Sequence, residues 1–286
     1  MNFHIAHIIP PGKAMHGLNG YKEVIDSVIW GLEDLGHKVG YSLNTLSTTA
    51  TNIIFGAQMM ALETLEQLPP QTIVYNFEQI KLADPERVKS SFKLAARRFN
   101  IWDYSESNRS TWEYFGADSL RVVPVGFAPI LERIAKNPIQ DIDVLMYGSP
   151  DNYRLEAFHH LYHSGLRAVF VGGLYGTARD DLIARSKLIV NINRRNLSRI
   201  FEVVRVSYLL ANRKAVVSIV EEDTAIDEDM RRAIMCSSGF QLVEHCHSLI
   251  DNDQSRESLE TAGFEVIRQR DIRKILAAAL DGASEA

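Results

Sequence analysis

The sequence has few of the features that mark secreted or membrane-spanning proteins. Only two of its 286 residues are cysteines, so we expect no disulfide framework, and a reducing, cytoplasmic location fits. No apolar run approaches the roughly 20 residues that a membrane-spanning helix needs. The opening residues, MNFHIAHIIPP, lack a charged segment followed by a long apolar one, so we expect no signal peptide.

An excess of positive charge is also missing. The formal net charge is −5 and the isoelectric point is near 6.0. This balance argues against a nucleic-acid-binding protein that relies on general basicity, although it leaves room for a local basic patch. The hydrophobic fraction of 46% and the charged fraction of 23% are typical of a folded globular protein with one large domain or two ordinary ones.

The spacing of cysteine and histidine does not favour a metal site. Cys236 and Cys246 lie near His245 and His247, but no C-x-x-C spacing is present. Neighbouring positions on a short strand or loop rarely converge on one ion. We therefore predict neither a bound metal nor another resident cofactor.

Alternating strands and helices predict an α/β protein. Residues 3–9 form a short apolar run that ends at a Pro-Pro pair, residues 12–20 form a glycine-rich loop, and residues 21–35 carry apolar side chains at helical spacing. With a second strand from residue 37, these segments make one unit of a parallel α/β sheet. The loop makes an anion site available at the helix N-terminus, although glycines also serve ordinary tight turns.

The same alternation continues through the first half of the chain. The predicted strands are 52–55, 72–77 and 99–102, and the predicted helices are 57–67, a segment rich in Lys and Arg at 81–98, and 107–115. Glu78 and Asp103 directly follow two of these strands, at the edge where open α/β sheets bind ligands. Both are therefore candidate functional residues. The structural alternatives are an ion pair with Lys81 for Glu78 and a helix cap for Asp103.

A second α/β series begins after the turn-rich residues 124–138, which we interpret as a domain boundary. The predicted strands are 143–147, 167–171, 187–192 and 239–243, and the predicted helices are 154–164, 179–186, 223–234, 255–263 and 271–280. Two α/β halves joined by a hinge imply a cleft between them, where ligands commonly bind.

Residues 194–220 contain a polar loop, a helix that is apolar nearly all round, and a short apolar strand. A helix of this composition is buried. Glu202, Arg205 and Tyr208 are spaced three residues apart, so they share one face of the predicted helix. This polar row indicates either an internal ion pair beside a hydroxyl or a polar ligand lying over the first turn.

The second half resembles the C-terminal domain of the GT-B glycosyltransferases, which move a sugar from a nucleotide donor to an acceptor. The resemblance rests on VLMYGS (144–149), LIARSKLIVNIN (182–193), RIFEVVRVSYLLANRKAVVS (199–218) and RESLETAGFEVI (256–267). The first half is similar to the N-terminal domain of the family more loosely, through GLNGYKEVIDSVIWGLEDLGHKV (17–39). The resemblance covers nearly the whole chain, with degenerate motifs.

This resemblance implies two Rossmann-like domains that face a central cleft. It implies an acceptor-side domain at residues 1–128, a hinge at 129–141, a donor domain at 142–264, and a C-terminal helix and tail at 265–286 that cross back towards the first domain. The donor is a nucleotide sugar, with a UDP-sugar favoured, and it is a substrate.

The resemblance also implies roles for individual residues. Glu202 matches the acidic residue that holds the nucleotide ribose, and Arg205 is expected to orient it. In the family, arginines neutralise the diphosphate in place of a metal, and Arg154 and Arg194 are the preferred candidates for that role. The expected donor-binding residues are Gly17, Gly148, Ser149, Arg154, Tyr175, Asn193, Arg194, Ser198, Ile200, Phe201, Glu202 and Arg205. Each arginine has a solvated surface charge as its alternative.

The sequence departs from the family at one position. Many retaining members carry a second glutamate in this helix, but the residue eight positions after Glu202 is Leu210. Glu221 and Glu222 could substitute only if the chain turns back. The missing acid puts retaining chemistry in doubt.

Transfer with inversion also needs a base that takes the proton of the acceptor hydroxyl. His16 in the glycine loop is one candidate, because its unperturbed pKa suits proton transfer near neutrality. Glu78 and Asp103 are the others. A solvated polar role is the alternative for His16.

Three functions remain open at this point. The first is a cytosolic glycosyltransferase whose acceptor is a glycan, a protein or a nucleic-acid base. The second is a binding protein of the same fold without transfer activity, and the third is a nucleotide-sugar epimerase or hydrolase. The oligomeric state does not follow from the sequence.

Overall fold

The computed structural model describes residues 1–9, 20–80, 89–193 and 200–281. The chain divides into two compact units. Unit 1 comprises Met1–Ala128 together with the C-terminal segment that starts at Ile272, and unit 2 comprises Pro129–Asp271.

Unit 1 is built on a six-stranded sheet in which all pairings are parallel, in the order β2-β1-β3-β4-β5-β6. In the central strands nearly every side chain is buried, as expected for a parallel sheet covered on both faces. The strands are β1 (Asn2–His7), β2 (Lys38–Leu43), β3 (Thr51–Phe55), β4 (Ile73–Asn76), β5 (Asn100–Asp103) and β6 (Leu120–Val122).

The helices of unit 1 follow the predicted positions with two interruptions. Residues 57–67 form a 3₁₀ turn at Ala57–Met59 and a separate short helix, because Met60 and Ala61 between them are extended. In the segment 107–115 a second 3₁₀ turn (Glu106–Asn108) precedes the α-helix. Of the predicted helix 81–98, residues 81–88 lie outside the described part. The α-helices are α1 (Lys22–Asp34), α2 (Leu62–Glu66), α3 (Ser90–Arg98), α4 (Arg109–Tyr114) and α11 (Ile272–Asp281).

The last helix, α11, packs against α1 within unit 1. Two glycines allow this close contact. A Cβ atom on Gly31 would lie 2.8 Å from Cδ1 of Leu276, and one on Gly126 would lie 2.9 Å from Cα of Ile272. The backbone N–H of Ile272 also donates to the carbonyl oxygen of Phe127 at 3.1 Å. The start of α11 is thus fixed against the backbone that follows β6.

Unit 2 is built on a five-stranded sheet, also with parallel pairings, in the order β11-β10-β9-β7-β8. The three central strands are buried, whereas the edge strand β8 is half-buried along its length. The strands are β7 (Ile142–Tyr147), β8 (Ala168–Val171), β9 (Ser186–Asn191), β10 (Ala215–Ile219) and β11 (Met235–Ser237).

The helices of unit 2 are α5 (Asn152–His163), α6 (Gly176–Arg185), α7 (Val203–Ala211), α8 (Glu228–Arg232), α9 (Leu242–Ile250) and α10 (Asp253–Gln269). The strand predicted at 239–243 is wrong, because Leu242, Cys246 and Leu249 form the buried face of helix α9 and have helical spacing. The edge strand is the three-residue β11 instead. The helix predicted at 223–234 is confined to α8, because residues 220–225 form a turn after β10.

We expect Gly126→Ala to destabilise the protein by about 1–3 kcal/mol, because the added methyl group would collide with the backbone of Ile272. Urea unfolding of the variant and the wild type measures this difference. Gly20→Ala is the matched control, since a Cβ atom there meets no atom of the described residues within 4 Å. Equal midpoints for the two variants would show that α11 is not held by this contact.

Candidate functional site

In unit 2, the loop after β7 brings a glycine against two arginines. Gly148 has φ +132°, a left-handed conformation that L side chains rarely adopt. A Cβ atom on it would lie 3.0 Å from Nη2 of Arg205 and 3.4 Å from Nη1 of Arg154. The backbone conformation therefore favours glycine here, and a Cβ atom would also press on the ends of both arginine side chains.

Arg154 lies in the first turn of α5, whose N-cap is Asp151. The Asp151 carboxylate accepts a hydrogen bond from the backbone N–H of Arg154 at 2.9 Å. The buried guanidinium donates to the carbonyl oxygen of Ile192 through Nε (2.9 Å) and Nη2 (2.6 Å) and to that of Ser149 through Nη1 (2.8 Å). These contacts favour a role in holding the loops after β7 and β9 over direct contact with a diphosphate. Contact between Arg154 and the diphosphate of a donor stays a prediction.

Glu202 is the N-cap residue of α7, so its carboxylate lies at the start of that helix. Its Oε1 is 3.9 Å from Nη2 of Arg154, and its Oε2 is 3.5 Å from Nη2 of Arg205. Both distances exceed the roughly 2.7–2.9 Å of a direct charge-assisted hydrogen bond. With 26% of its side chain exposed, Glu202 combines two nearby cations with accessible carboxylate oxygens.

Arg205 is held by a residue that the sequence analysis did not identify. Its Nη1 donates to Oδ1 of Asn191 at 3.0 Å, and its guanidinium lies 5.3 Å from the centre of the Tyr147 ring. Asn191 is fully buried at the end of β9 and donates to Oγ of Ser218, at the corresponding end of β10, at 2.9 Å. A polar residue inside the apolar run LIVNIN was the signal for this role.

The third member of the predicted polar row, Tyr208, points elsewhere. Its hydroxyl donates to Oδ2 of Asp180 on α6 at 2.9 Å, and the guanidinium of Arg179 lies 4.7 Å from its ring centre. The row therefore divides: Glu202 and Arg205 face the loop after β7, whereas Tyr208 joins α7 to α6.

Other predicted donor-binding residues lie in adjoining segments. Asn193 donates from Nδ2 to the carbonyl oxygen of Ile200 at 3.1 Å. Ile200 and Phe201 are buried, and both pair with Ala225, since the chain after β10 returns beside them. Tyr175 is the N-cap residue of α6. Gly17, Arg194 and Ser198 lie outside the described residues.

In unit 1, Asp103 ends strand β5 and is completely buried. Its carboxylate accepts from Nε1 of Trp112 (2.7 Å), from Nδ2 of Asn76 (2.7 Å), from Nδ2 of Asn108 (3.0 Å) and from the backbone N–H of Ser105 (2.8 Å). Burial raises the pKa of Asp103 to about 6, against these hydrogen bonds, which lower it. With no exposed surface and donors on both oxygens, Asp103 fits a structural role better than the catalytic one. It is not the predicted helix cap, because the N-cap residues of the two following helical turns are Ser105 and Asn108.

Glu78 follows β4 and is exposed. Its Oε1 accepts from the hydroxyl of Tyr21 at 2.6 Å and from Nε2 of Gln58 at 3.0 Å. The pKa of Tyr21 is raised well above its ordinary value of 10.0, mainly by burial and secondly by the negative charge of Glu78. The phenol therefore remains a hydrogen-bond donor. Within the described residues both donors approach the same carboxylate oxygen, and none approaches Oε2.

The backbone of Glu78 is fixed by the same network that surrounds Asp103. Its carbonyl oxygen accepts from Nδ2 of Asn76 at 2.8 Å and from Nδ2 of Asn108 at 2.9 Å. The buried carboxylate of Asp103 therefore orients the side-chain amides of Asn76 and Asn108. These amides in turn position the backbone of the exposed Glu78. His16, the other candidate base, lies outside the described residues.

Cys246 is buried on α9 and Cys236 lies on β11; both are free thiols. Burial raises the pKa of Cys246 to about 12. In the described part of the chain no three His, Cys, Asp or Glu side chains converge to hold a metal ion. Of the helices described, none has the length and apolar character to span a membrane.

Comparison with known proteins identifies the fold. No protein-family model and no curated protein matches the sequence. Among solved structures, the chain is similar to AviGT4, a glycosyltransferase involved in avilamycin A biosynthesis, with a TM-score of 0.64 and 14% identity over 98% of this chain and 96% of that one. It is also similar to HepE from Anabaena in complex with UDP-glucose, with a TM-score of 0.65 and 12% identity over 99% and 100% of the two chains.

A third similar structure is BGT of phage T4 in complex with its UDP-glucose substrate, with a TM-score of 0.59 and 11% identity over 100% and 99% of the two chains. At this level of identity the likeness establishes the fold. The α/β fold of the GT-B glycosyltransferases, which the resemblance implied, is confirmed.

We expect the carboxyl carbon of Asp103 to titrate with a midpoint of about 6 in an NMR pH series. Because the folded pKa lies above the ordinary value of 3.8, the stability from this group is full below about pH 4. As the pH rises from about 4 through 6, roughly 3 kcal/mol of this contribution to the free energy of unfolding is lost. The variant Asp103→Asn lacks this carboxyl group, so the loss of the titrating signal in its spectrum assigns that signal to Asp103.

Asp143 is the internal control for this titration, because hydrogen bonds from Arg167 lower its pKa to about 2. Its signal should therefore stay unchanged through the pH range in which Asp103 titrates. A midpoint for Asp103 below 4 would mean that the hydrogen bonds outweigh the burial.

Proposed function

We propose that this protein is a glycosyltransferase that moves a sugar from a nucleotide-diphosphate donor, with UDP as the favoured nucleotide, to an acceptor hydroxyl. The observation that carries the proposal is the Glu202 carboxylate between Arg154 and Arg205 at the start of α7. It lies on a fold that is shared with glycosyltransferases solved with UDP-glucose bound.

In this proposal, unit 2 holds the donor. The accessible oxygens of Glu202 accept from the ribose hydroxyls, and the guanidinium groups of Arg154 and Arg205 fix the carboxylate in place. Negative charge develops on the departing diphosphate during transfer. Arg205, together with the predicted Arg194, supplies positive charge there without a metal ion, because guanidinium groups bind phosphate oxygens through paired N–H donors.

For the acceptor side, we propose Glu78 as the base. Its exposure suits proton transfer from a hydroxyl, and Oε2 accepts no hydrogen bond from the residues that the structure describes. Tyr21 and Gln58 hold its other oxygen. Asp103 supports this residue through Asn76 and Asn108 instead of meeting a substrate. A glycan, a protein or a nucleic-acid base remains as the acceptor, and His16 remains the rival base.

One observation favours a second function, a binding protein without transfer activity. Leu210, at the position of the second family glutamate, is buried on α7. A chain that binds a nucleotide sugar but lacks this acid could hold the donor as a ligand only. Slow hydrolysis of bound UDP-glucose in the absence of an acceptor separates the two functions, because an inert binder leaves the donor intact.

We expect UDP at about a hundred times its Kd to raise the unfolding free energy by about 2.7 kcal/mol, which a thermal-shift measurement detects. Glu202→Ala should abolish this shift, because the ribose contact is lost, while the variant stays folded. Glu156→Ala removes an exposed carboxylate on α5 and is the control that should keep the shift. If Glu202→Ala keeps the shift too, this residue is only an ion-pair partner.

We expect Glu78→Gln to lower kcat by about 10²–10⁴-fold while leaving the UDP thermal shift unchanged, because the amide cannot accept the proton. Transfer from UDP-glucose to a panel of sugar acceptors measures the rate. Glu66→Gln, an exposed carboxylate on α2, is the control. An unchanged rate in Glu78→Gln would assign the base to another residue, with His16 tested next.

A further inference from the structure

We propose that the exposed face of α5 carries a binding site for a divalent transition-metal ion, formed by His159 and His163. The two histidines are four residues apart in the last turns of the helix, and both are exposed. Residues at this spacing are neighbours on one helix face. Their ring centres are 6.3 Å apart, with the ring planes at 88° to each other.

Each histidine ring also lies beside an aromatic neighbour. The Phe158 ring lies 5.9 Å from that of His159, and the Tyr162 ring lies 5.6 Å from that of His163. A zinc ion bonds imidazole nitrogen at about 2.0–2.1 Å. Because side chains four residues apart on a helix are neighbours, rotation of the two exposed side chains would allow one nitrogen of each ring to reach a shared ion.

The site has two protein ligands, and water completes the coordination. No third His, Cys, Asp or Glu among the described residues joins the pair. His160, also on α5, faces Glu156 instead, with its Nε2 4.0 Å from the carboxylate Oε1. An ion bound here remains accessible to solvent and to further ligands.

The ligand type determines which ions bind. Imidazole suits copper, nickel and zinc, and the Irving–Williams order places Cu²⁺ above Ni²⁺ and Zn²⁺ in affinity. Mg²⁺ and Ca²⁺ prefer oxygen ligands and should not compete.

This site is distinct from the candidate donor site, although α5 contributes to both. Arg154 occupies the first turn of the helix and its side chain is buried. His163 is nine residues further along, which at 3.6 residues per turn places it on the opposite face. Metal binding can therefore be tested separately from nucleotide binding.

The test is titration of the full chain, free of any histidine tag, with ZnCl₂ and with CuCl₂ in a buffer that does not chelate metals. Calorimetry gives the affinity, and NMR follows the histidine ring signals. We expect one ion per chain, with the rings of His159 and His163 shifted by Zn²⁺. Absence of binding to either ion overturns the proposal.

Single substitutions assign the ligands. His159→Ala and His163→Ala should each weaken binding by about tenfold or more, because the second contact of a chelate is intramolecular. His160→Ala, on the same helix, should change the affinity by less than about twofold. Unchanged affinity in the first two variants, or equal loss in all three, would contradict the assignment.

Discussion

The guanidinium of Arg154 joins the segments from which the candidate donor site of unit 2 is built. It donates to the carbonyl oxygens of Ser149, after β7, and of Ile192, after β9. Carbonyl oxygens at strand ends have no sheet partner and need a donor when buried. A buried cation needs compensation in turn. Glu202, 3.9 Å away, provides the opposite charge, so the position of the acid follows from the same interaction that closes the loops.

In both units, parallel pairing decides where chemistry can occur. Every strand in a parallel sheet ends at the same edge, so polar residues at strand ends meet there even when they are distant in sequence. In unit 2 this edge joins Asn191 to Ser218, and in unit 1 it joins Asn76 to Asp103. Burial then decides whether such a residue supports the fold or can meet a ligand. Asp103 is completely buried and holds its neighbours together, whereas Glu78 is exposed.

These facts explain which features the sequence predicts well. The α/β alternation and the position of Glu202 at a helix start follow from local apolar periodicity and the preceding polar loop. The surroundings of Asp103 do not, because its donors Asn76, Asn108 and Trp112 come from three segments that only the folded chain brings together. Helix α9 was predicted as a strand because residues 239–243 contain a short run of apolar side chains. Such a short run is compatible with a strand as well as with a helix.

The residue at the position of the second family glutamate has a packing role in this chain. Leu210 is almost completely buried on α7, which packs against α10. A Cβ atom on Gly263 of α10 would lie 2.7 Å from Cδ2 of Leu210. An acidic side chain at this position would be buried in an apolar contact, at a cost of several kcal/mol.

That contact closes the position of Leu210 to an acid, whereas Glu202 lies at the start of the helix with 26% of its side chain exposed. Glu221, the substitute considered from the sequence, accepts from the hydroxyl of Tyr153 at 3.2 Å and so has a partner on α5. In the proposed donor site of unit 2, Glu202 is the carboxylate that lies near both Arg154 and Arg205. Our proposal takes the base for the acceptor from unit 1, where Glu78 is exposed and its Oε1 accepts from two donors.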